Sequence, residues 1–140
     1  MVHGESFDLD MMGFSDIADI SDRVDAAVER SGVVSGMVTV SVTGSTASVS
    51  TMEFEPALVE DMKELLEKIA SRNMESRHSR TWGDDNGFSH LRATLMGPGI
   101  AMPVENGRTV RGTWQQIVLI DHDNRPRKRR VRVQVVGEED

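Results

Sequence analysis

Two glycine-marked turns and the apolar strand that follows them occupy the segment Asn106-Gly107-Arg108-Thr109-Val110-Arg111-Gly112-Thr113-Trp114-Gln115-Gln116-Ile117-Val118-Leu119-Ile120-Asp121. Its apolar run predicts a strand over residues 114–121. Only 4% of the chain is aromatic, so the tryptophan between a threonine and a glutamine at the strand entrance is informative. It favours either a functional site or a structural corner, in which the indole closes the edge of the core.

Outward from this strand, most of the chain alternates polar and apolar residues with period two, which is typical of half-buried strands. The predicted strands cover residues 6–11, 37–42, 47–52, 90–96, 100–104, 114–121 and 129–136. One helix is predicted from an N-cap at Ser21 to a stop at Gly32. A longer helix is predicted from Pro56 to about Arg72.

Strands outnumber helices by about three to one, and two helices are too few to cover both faces of a wound parallel sheet. The pattern predicts an α+β fold with a mainly antiparallel, sandwich-like sheet core and two main helices. One domain is expected over residues 1–140, with its core over 6–137 and a solvated tail at 138–140. The turn at 123–126 predicts a hairpin of the last two strands, and residues 43–46 connect two strands predicted to be adjacent.

Composition excludes several classes of function. The chain has no cysteine, which excludes disulfides, thiolate metal sites and cysteine nucleophiles. A net charge of -7 makes a nucleic-acid partner unfavourable, although six of the 16 basic residues lie within residues 125–132. The chain has no apolar run near the roughly 20 residues of a membrane span and no signal-peptide pattern at its start, so we expect a cytoplasmic protein without a membrane partner.

The richest group of reactive side chains lies in the polar stretch after the second helix, where long loops are often functional. It contains His78, Asp84, Asp85, Asn86 and His90. Imidazole and carboxylate are the ligands that a cysteine-free site would use for zinc or another divalent ion such as magnesium, which makes His78 and His90 candidate metal ligands. The alternative is a surface histidine at 78 and a half-buried strand histidine bonded to the backbone at 90.

Three other segments have both a chemical and a structural interpretation. Glu53 follows a strand, where it would hold a metal, act as a base or simply favour the start of the next helix. The connection Gly44-Ser45-Thr46 is either an anion-binding nest or a hairpin turn. The basic run at 125–132 would contact phosphates or nucleic acid, or else pair with the excess of acidic side chains.

Taken together, these motifs resemble the secondary thiamine-phosphate synthase family, also called the YjbQ-type family. The matching residues are Pro103-Val104, Gly107, Gly112-Thr113-Trp114-Gln115, Asp85-Asn86, Ser89-His90-Leu91, Asp121, Arg125-Pro126-Arg127, Arg129-Arg130-Val131, Ser45-Thr46-Ala47, Glu53, Pro56, Asp61 and His78. The resemblance covers residues from about 6 to 137. The chain departs from it at Gly44, Met52 and Gly99, where many relatives have His, Asn and Ser.

The resemblance implies a homotrimer of α+β subunits that joins a pyrimidine methyl pyrophosphate to a thiazole phosphate, as a secondary activity. It implies that His78, His90 and Asp85 hold a divalent ion or contact phosphate. Further implied site residues are Ser45, Thr46, Asn86 and Arg127 toward phosphate, and Glu53 and Gln115 toward substrate or water. The alternative is a non-catalytic trimer that binds a metal or a phosphorylated ligand.

Overall fold

The computed structural model describes all 140 residues, which form eight strands and four helices. In chain order the elements are β1 (Val2–Met11), β2 (Asp16–Asp19), α1 (Ser21–Ser31), β3 (Val33–Val42), β4 (Ala47–Met52), α2 (Pro56–Ile69), α3 (Arg77–Trp82), α4 (Gly87–Met96), β5 (Gly99–Glu105), β6 (Arg108–Thr109), β7 (Gln116–Asp121) and β8 (Arg127–Glu139). All strand pairs are antiparallel, so the predicted α+β fold is confirmed.

The larger sheet has the strand order β1-β8-β3-β5-β6. Strand β8, which pairs with both β1 and β3, alternates strictly, with Val131, Val133 and Val135 buried and Arg130 and Arg132 exposed. Because successive side chains of a strand point to opposite faces, this alternation places one face of the sheet on the core and leaves the other in solvent.

The smaller sheet has the order β2-β7-β4 and is covered on both faces. Ile117 and Leu119 of β7 pack into the main core with α1 and the larger sheet. Val118 and Ile120 point the other way and form a second cluster, against which Val59 of α2 packs with other partly buried side chains. Burial from both sides is the reason that this strand is a continuous apolar run in the sequence.

The two predicted helices are present, with one correction to a cap. Gly32 ends α1 with φ of 72°, the left-handed conformation that glycine adopts at little cost. Ser21 is the first residue of α1 and not its N-cap; its Oγ accepts a 2.9 Å hydrogen bond from the Ile117 amide and so ties the helix to β7. Glu55 caps α2 through bonds of 3.0 and 2.6 Å from the amides of Ala57 and Leu58.

Both predicted strand connections were wrong in the same way. β3 and β4 do not pair, and neither do β7 and β8, because in each case the chain crosses from one sheet to the other. The connecting residues Thr46 and Asp123 are buried where they cross, as is Asp121 at the end of β7. The crossings therefore bring polar side chains together between the two sheets, which surface hairpins would not do.

The predicted strand at 90–96 is instead part of α4, and the preceding polar stretch contains α3. The buried side chains of α4 include Phe88, Ser89, Arg92 and Ala93, which recur at helical spacing. Two of these four are polar, so the helical period is hidden from a search for apolar residues. The predicted tail at 138–140 is exposed, although Glu138 and Glu139 belong to β8 and pair with β3.

None of the four helices has the combination of length and apolar character that a membrane span requires.

Candidate functional site

A serine-glycine contact holds α3 against the start of α4. Ser76 caps α3 by accepting a 3.0 Å bond from the Ser79 amide, and the Gly87 amide donates to Ser79 Oγ at 3.2 Å. A Cβ atom at Gly87 would lie 2.0 Å from Ser76 Oγ, so only glycine allows the two helices to meet this closely. This contact places the histidine of α3 beside the histidine of α4.

His78 and His90 face each other with their ring centroids 4.4 Å apart and their planes tilted by 55°. Nε2 of His78 lies 3.5 Å from Oδ2 of Asp84. Burial and the neighbouring His78 lower the pKa of His90, because both disfavour a positive charge on the ring. The two rings thus form a pair whose His90 member favours the neutral state.

The Asn86 amide links this pair to its carboxylate. One end of the amide lies 2.9 and 3.1 Å from the Asp84 oxygens and 3.2 Å from Nε2 of His78, which assigns that end as the nitrogen. The reversed amide would set its oxygen against the carboxylate and leave one 3.5 Å contact from its nitrogen to Asp123. Asn86 is buried, so the bonds it donates fix the positions of His78 and Asp84.

A buried ionic network lies on the β7 side of the histidines. Nε and Nη2 of Arg129 bind the two Asp121 oxygens at 2.6 and 2.9 Å, and Nη2 also donates to Thr46 Oγ1 at 2.7 Å. Thr46 Oγ1 in turn donates to Oδ2 of Asp123 at 2.9 Å. Each of these four side chains is less than a tenth exposed, and each charge has a partner, as buried charges require.

Arg127 connects the network to the surface. Its Nε lies 2.6 Å from Oδ2 of Asp123, in an ion pair that is not an aligned hydrogen bond. Burial would raise the pKa of Asp123, but bonds from the Asn124 amide and Thr46 and the charge of Arg127 outweigh it and lower that pKa. About a third of the Arg127 side chain is exposed (35%), so its guanidinium faces solvent from a fixed position.

A cavity of about 480 Å³ opens beside the histidine pair. His78 and His90 line it, together with Arg77 and Arg80 of α3. The other lining residues are Met74, Glu75, Ser76, Gly87 and Leu91. We call this cavity, with its two histidines, the histidine groove. No group of three or more histidine, aspartate or glutamate side chains converges in the structure with the geometry of a metal site.

The structure brings together five of the residues chosen from the sequence: His78, His90, Asn86, Thr46 and Arg127. They meet around Asp84, a member of the polar group identified in the sequence, and Asp123, which the sequence did not single out as a site residue. In the sequence Asp123 has the features of a turn residue, and only its place two residues after the buried strand β7 indicates burial. The signal for a buried cluster is the polar run Asp121-His122-Asp123 at the end of an apolar one.

Four other predicted site residues lie outside this cluster. Asp85 is exposed with φ of 55°, and its neighbour Asp84 is the acid that faces His78. Ser45 and Glu53 are also exposed. Gln115 lies in the loop before β7, where it accepts from the Gly112 amide at 2.9 Å and donates to Thr51 at 3.1 Å.

That loop is at the opposite end of the smaller sheet from the histidine groove. β7 runs from Gln116 to Asp121, so five steps of about 3.4 Å separate its ends by roughly 17 Å. Trp114 is 73% exposed and does not close the edge of the core, so the predicted structural corner was wrong. We call residues 112–115 the tryptophan loop.

A further histidine, His122, is fully buried beside the ionic network. Its Nε2 lies 2.9 Å from Ser48 Oγ, and its Nδ1 has no hydrogen-bond partner. Burial, helped by the positive charge of Arg92, lowers the pKa of His122 to about 4. This imidazole is therefore neutral near neutral pH and belongs to the packed interior.

Comparison with known proteins places the chain in a family. Residues 5–138 match the model of the family described as UPF0047 protein YjbQ-like. A UPF0047 protein from Archaeoglobus fulgidus is 37% identical over 121 residues, which cover 86% of this chain and 91% of the relative. A second, from Synechocystis, is 32% identical over 117 residues, covering 83% and 80% of the two chains.

Solved structures agree with these matches. A crystal structure from Sulfolobus solfataricus, described as a YbjQ-like protein of unknown function, superimposes with a TM-score of 0.93 at 32% identity and covers 99% of both chains. A hypothetical protein from Aeropyrum pernix gives a TM-score of 0.90 at 31% identity, over 97% of this chain and 99% of the other. The chain therefore belongs to the YjbQ-like UPF0047 family.

Proposed function

We propose that the histidine groove binds phosphorylated small molecules and that the chain joins a pyrimidine methyl pyrophosphate to a thiazole phosphate. The observation that carries the proposal is the pair of histidines, His78 and His90, that lines one groove. Asn86 is bonded to His78, and the Asp123–Arg127 ion pair is among the charges that act on the pKa of His90. The choice of the two thiamine precursors rests on the sequence resemblance to thiamine-phosphate synthases.

The proposed reaction needs positioning and charge stabilisation but no covalent enzyme intermediate. The thiazole nitrogen attacks the methylene carbon and forms a C–N bond, while the C–O bond breaks and its electron pair leaves with the pyrophosphate. Negative charge on the departing group is the charge to be stabilised. Donors held in place before the reaction stabilise such charge most effectively.

Arg127 and the imidazole N–H groups of the pair are the proposed donors. The ion pair with Asp123 holds the Arg127 guanidinium at the edge of the buried network. Asn86 orients His78 through the 3.2 Å contact with Nε2. The lowered pKa of His90 keeps that ring neutral at neutral pH, so it offers one N–H donor and one free nitrogen to substrate.

A divalent ion is part of the proposal in a limited form. His78 and His90, with Asp84 as the nearest carboxylate, have the donor chemistry for zinc, and oxygen-rich pyrophosphate itself favours magnesium. When bound, the ion would supply positive charge to the pyrophosphate. Metal analysis of protein purified without chelator tests this, with His78→Ala as the variant expected to lose the ion.

We also propose that the chain works as a homotrimer. Several large apolar side chains are more than two-thirds exposed in the single chain, which supports burial against another copy. They are Trp82, Leu95 and Trp114. Light scattering coupled to size-exclusion chromatography measures the mass directly, and a mass of about 15.5 kDa, that of one chain, would contradict the proposal.

The enzyme proposal is tested by incubating the purified chain with both precursors and magnesium. We expect thiamine phosphate to form, and His90→Ala to abolish its formation. His3→Ala is the matched control, because His3 lies on β1 and pairs with Glu5 away from the groove. An inactive wild type would overturn the enzyme proposal, and precursor binding without turnover would identify a non-catalytic binding protein instead.

A further inference from the structure

Two arginines of α3 enter the histidine groove without an acidic partner. Arg77 and Arg80 both line the cavity, and neither side chain forms an ion pair or a hydrogen bond in the structure. Several arginines of the chain are paired with acids, as with Arg30 and Glu5 or Arg111 and Asp25. Arg77 and Arg80 differ from other unpaired arginines, such as Arg108 and Arg132, because both line the cavity that contains the two histidines.

The position of the two arginines is built into the fold. They are three residues apart on one helix, so their side chains project from the same side. The Ser76 cap and the contact between Ser79 and Gly87 hold that helix on α4. Arg77 and Arg80 are exposed and unpaired, so their planar guanidinium groups are available for bidentate binding of phosphate oxygens.

The remaining lining residues complete the description of the ligand. Met74 and Leu91 contribute apolar surface to the lining of the same cavity as the cations. Glu75 is the one carboxylate among the lining residues, against two arginines and two histidines. The groove therefore has an anion-binding part and an apolar part, which suits an organic ring that carries a charged phosphate chain.

We propose that Arg77 and Arg80 bind the diphosphate group of the groove's substrate and thereby distinguish a diphosphate from a monophosphate ligand. This inference rests on the proposed function for the identity of the substrate. Arg127 is already paired with Asp123 and is not among the residues that line the cavity, so it contributes at most part of the positive charge that a diphosphate requires. The two free guanidinium groups supply the remainder, and Met74 and Leu91 pack against the attached ring.

The test is calorimetric titration of the chain with inorganic pyrophosphate and, separately, with inorganic phosphate. We expect the double variant Arg77→Gln/Arg80→Gln to bind pyrophosphate at least about tenfold more weakly, since charge-assisted hydrogen bonds are lost. Phosphate binding should change by less than about threefold, because we propose that the two arginines recognise the diphosphate and exposed charge pairs contribute little by themselves. The matched control is Arg108→Gln/Arg132→Gln, which removes two exposed arginine charges without an acidic partner from outside the groove.

The outcomes separate this inference from the proposed function. Arginine-dependent binding of pyrophosphate without formation of thiamine phosphate keeps the inference and rejects the function. Turnover with an unchanged KM for the diphosphate substrate in the double variant rejects the inference and keeps the function. Equal weakening in the control, or no pyrophosphate binding by the wild type, overturns the inference. If the double variant does not fold, the single variants Arg77→Gln and Arg80→Gln replace it, with about threefold weakening expected for each.

Discussion

The two ends of the smaller sheet differ sharply, although the family resemblance draws on both. At the tryptophan loop, Trp114 is 73% exposed and Gln115 bonds only to nearby groups. At the other end, Asp121, Asp123 and Arg129 are buried in a paired network next to the histidines. A residue pattern that identifies a family can therefore lie far, within one subunit, from the groups suited to chemistry.

The difference has a physical cause. Buried charges must be paired, so the network end tolerates little change, whereas an exposed loop can change at low cost to folding. Substitutions at the network end should consequently reduce stability, and substitutions in the tryptophan loop should leave the isolated fold intact.

Arg129→Met should cost about 3–5 kcal/mol in the free energy of unfolding, because Asp121 would be left buried without its partner. Urea titration followed by circular dichroism measures the change. Arg130→Met is the matched control, since Arg130 is adjacent but pairs with Asp8 at the surface, where an ion pair contributes little to stability. Equal losses in the two variants would contradict the buried network.

Acid should destabilise the fold through His122. The pKa of His122 is about 4 in the folded chain against an ordinary value of 6.5, so the unfolded chain binds the proton first as pH falls. The contribution of neutral His122 to the free energy of unfolding is fully present above pH 6.5 and is lost as pH falls toward 4. The total loss is about 3 kcal/mol. Urea titrations at a series of pH values measure it.

His122→Gln is the variant that isolates this contribution. His90 also has a lowered pKa and acts in the same direction, but it is unchanged in both proteins. The stability of the variant should fall less than that of the wild type between pH 6.5 and 4.5. Parallel curves over this window would show that His122 does not carry the effect.

Gly87→Ala should loosen the contact between α3 and α4, because the added Cβ would lie 2.0 Å from Ser76 Oγ. We expect a loss of about 1–3 kcal/mol and altered NMR shifts for His78 and His90. Gly112→Ala is the control, since a Cβ there meets no atom closer than 3.6 Å. Unchanged histidine shifts in Gly87→Ala would mean that this contact does not position the pair.

Trp114→Ala should change the stability of a single subunit by less than about 0.5 kcal/mol, because the side chain is mostly exposed. Thermal unfolding at a concentration where the chain is monomeric measures this. A large loss would mean that the indole packs against its own chain after all, and the contrast between the two ends would fail.

Much of the fold could be predicted because its apolar pattern is local. The alternation around Val131, Val133 and Val135 and the glycine stop at Gly32 are visible in the sequence alone. The sheet crossings could not be predicted, since strand pairing depends on distant residues and both connections contain ordinary turn residues. α4 was mistaken for a strand because Ser89 and Arg92 occupy buried positions of its helical face.

The candidate site divides in the same way. Sequence motifs identified His78, Asn86 and His90, but not that Asp84 rather than Asp85 faces the pair, because the choice depends on the left-handed turn at Asp85. Nor could the sequence show that Gln115 lies far from the histidines. Only the fold shows that they are at opposite ends of β7, whose length is roughly 17 Å.

The most direct test of an anion site at the histidine groove is an NMR titration with pyrophosphate, using the four histidines and two tryptophans as reporters. We expect the imidazole resonances of His78 and His90 to shift in a saturable way while the indole N–H of Trp114 stays unchanged. A shift of Trp114 without any change at His78 and His90 would place the anion site at the tryptophan loop and contradict a site at the histidine groove.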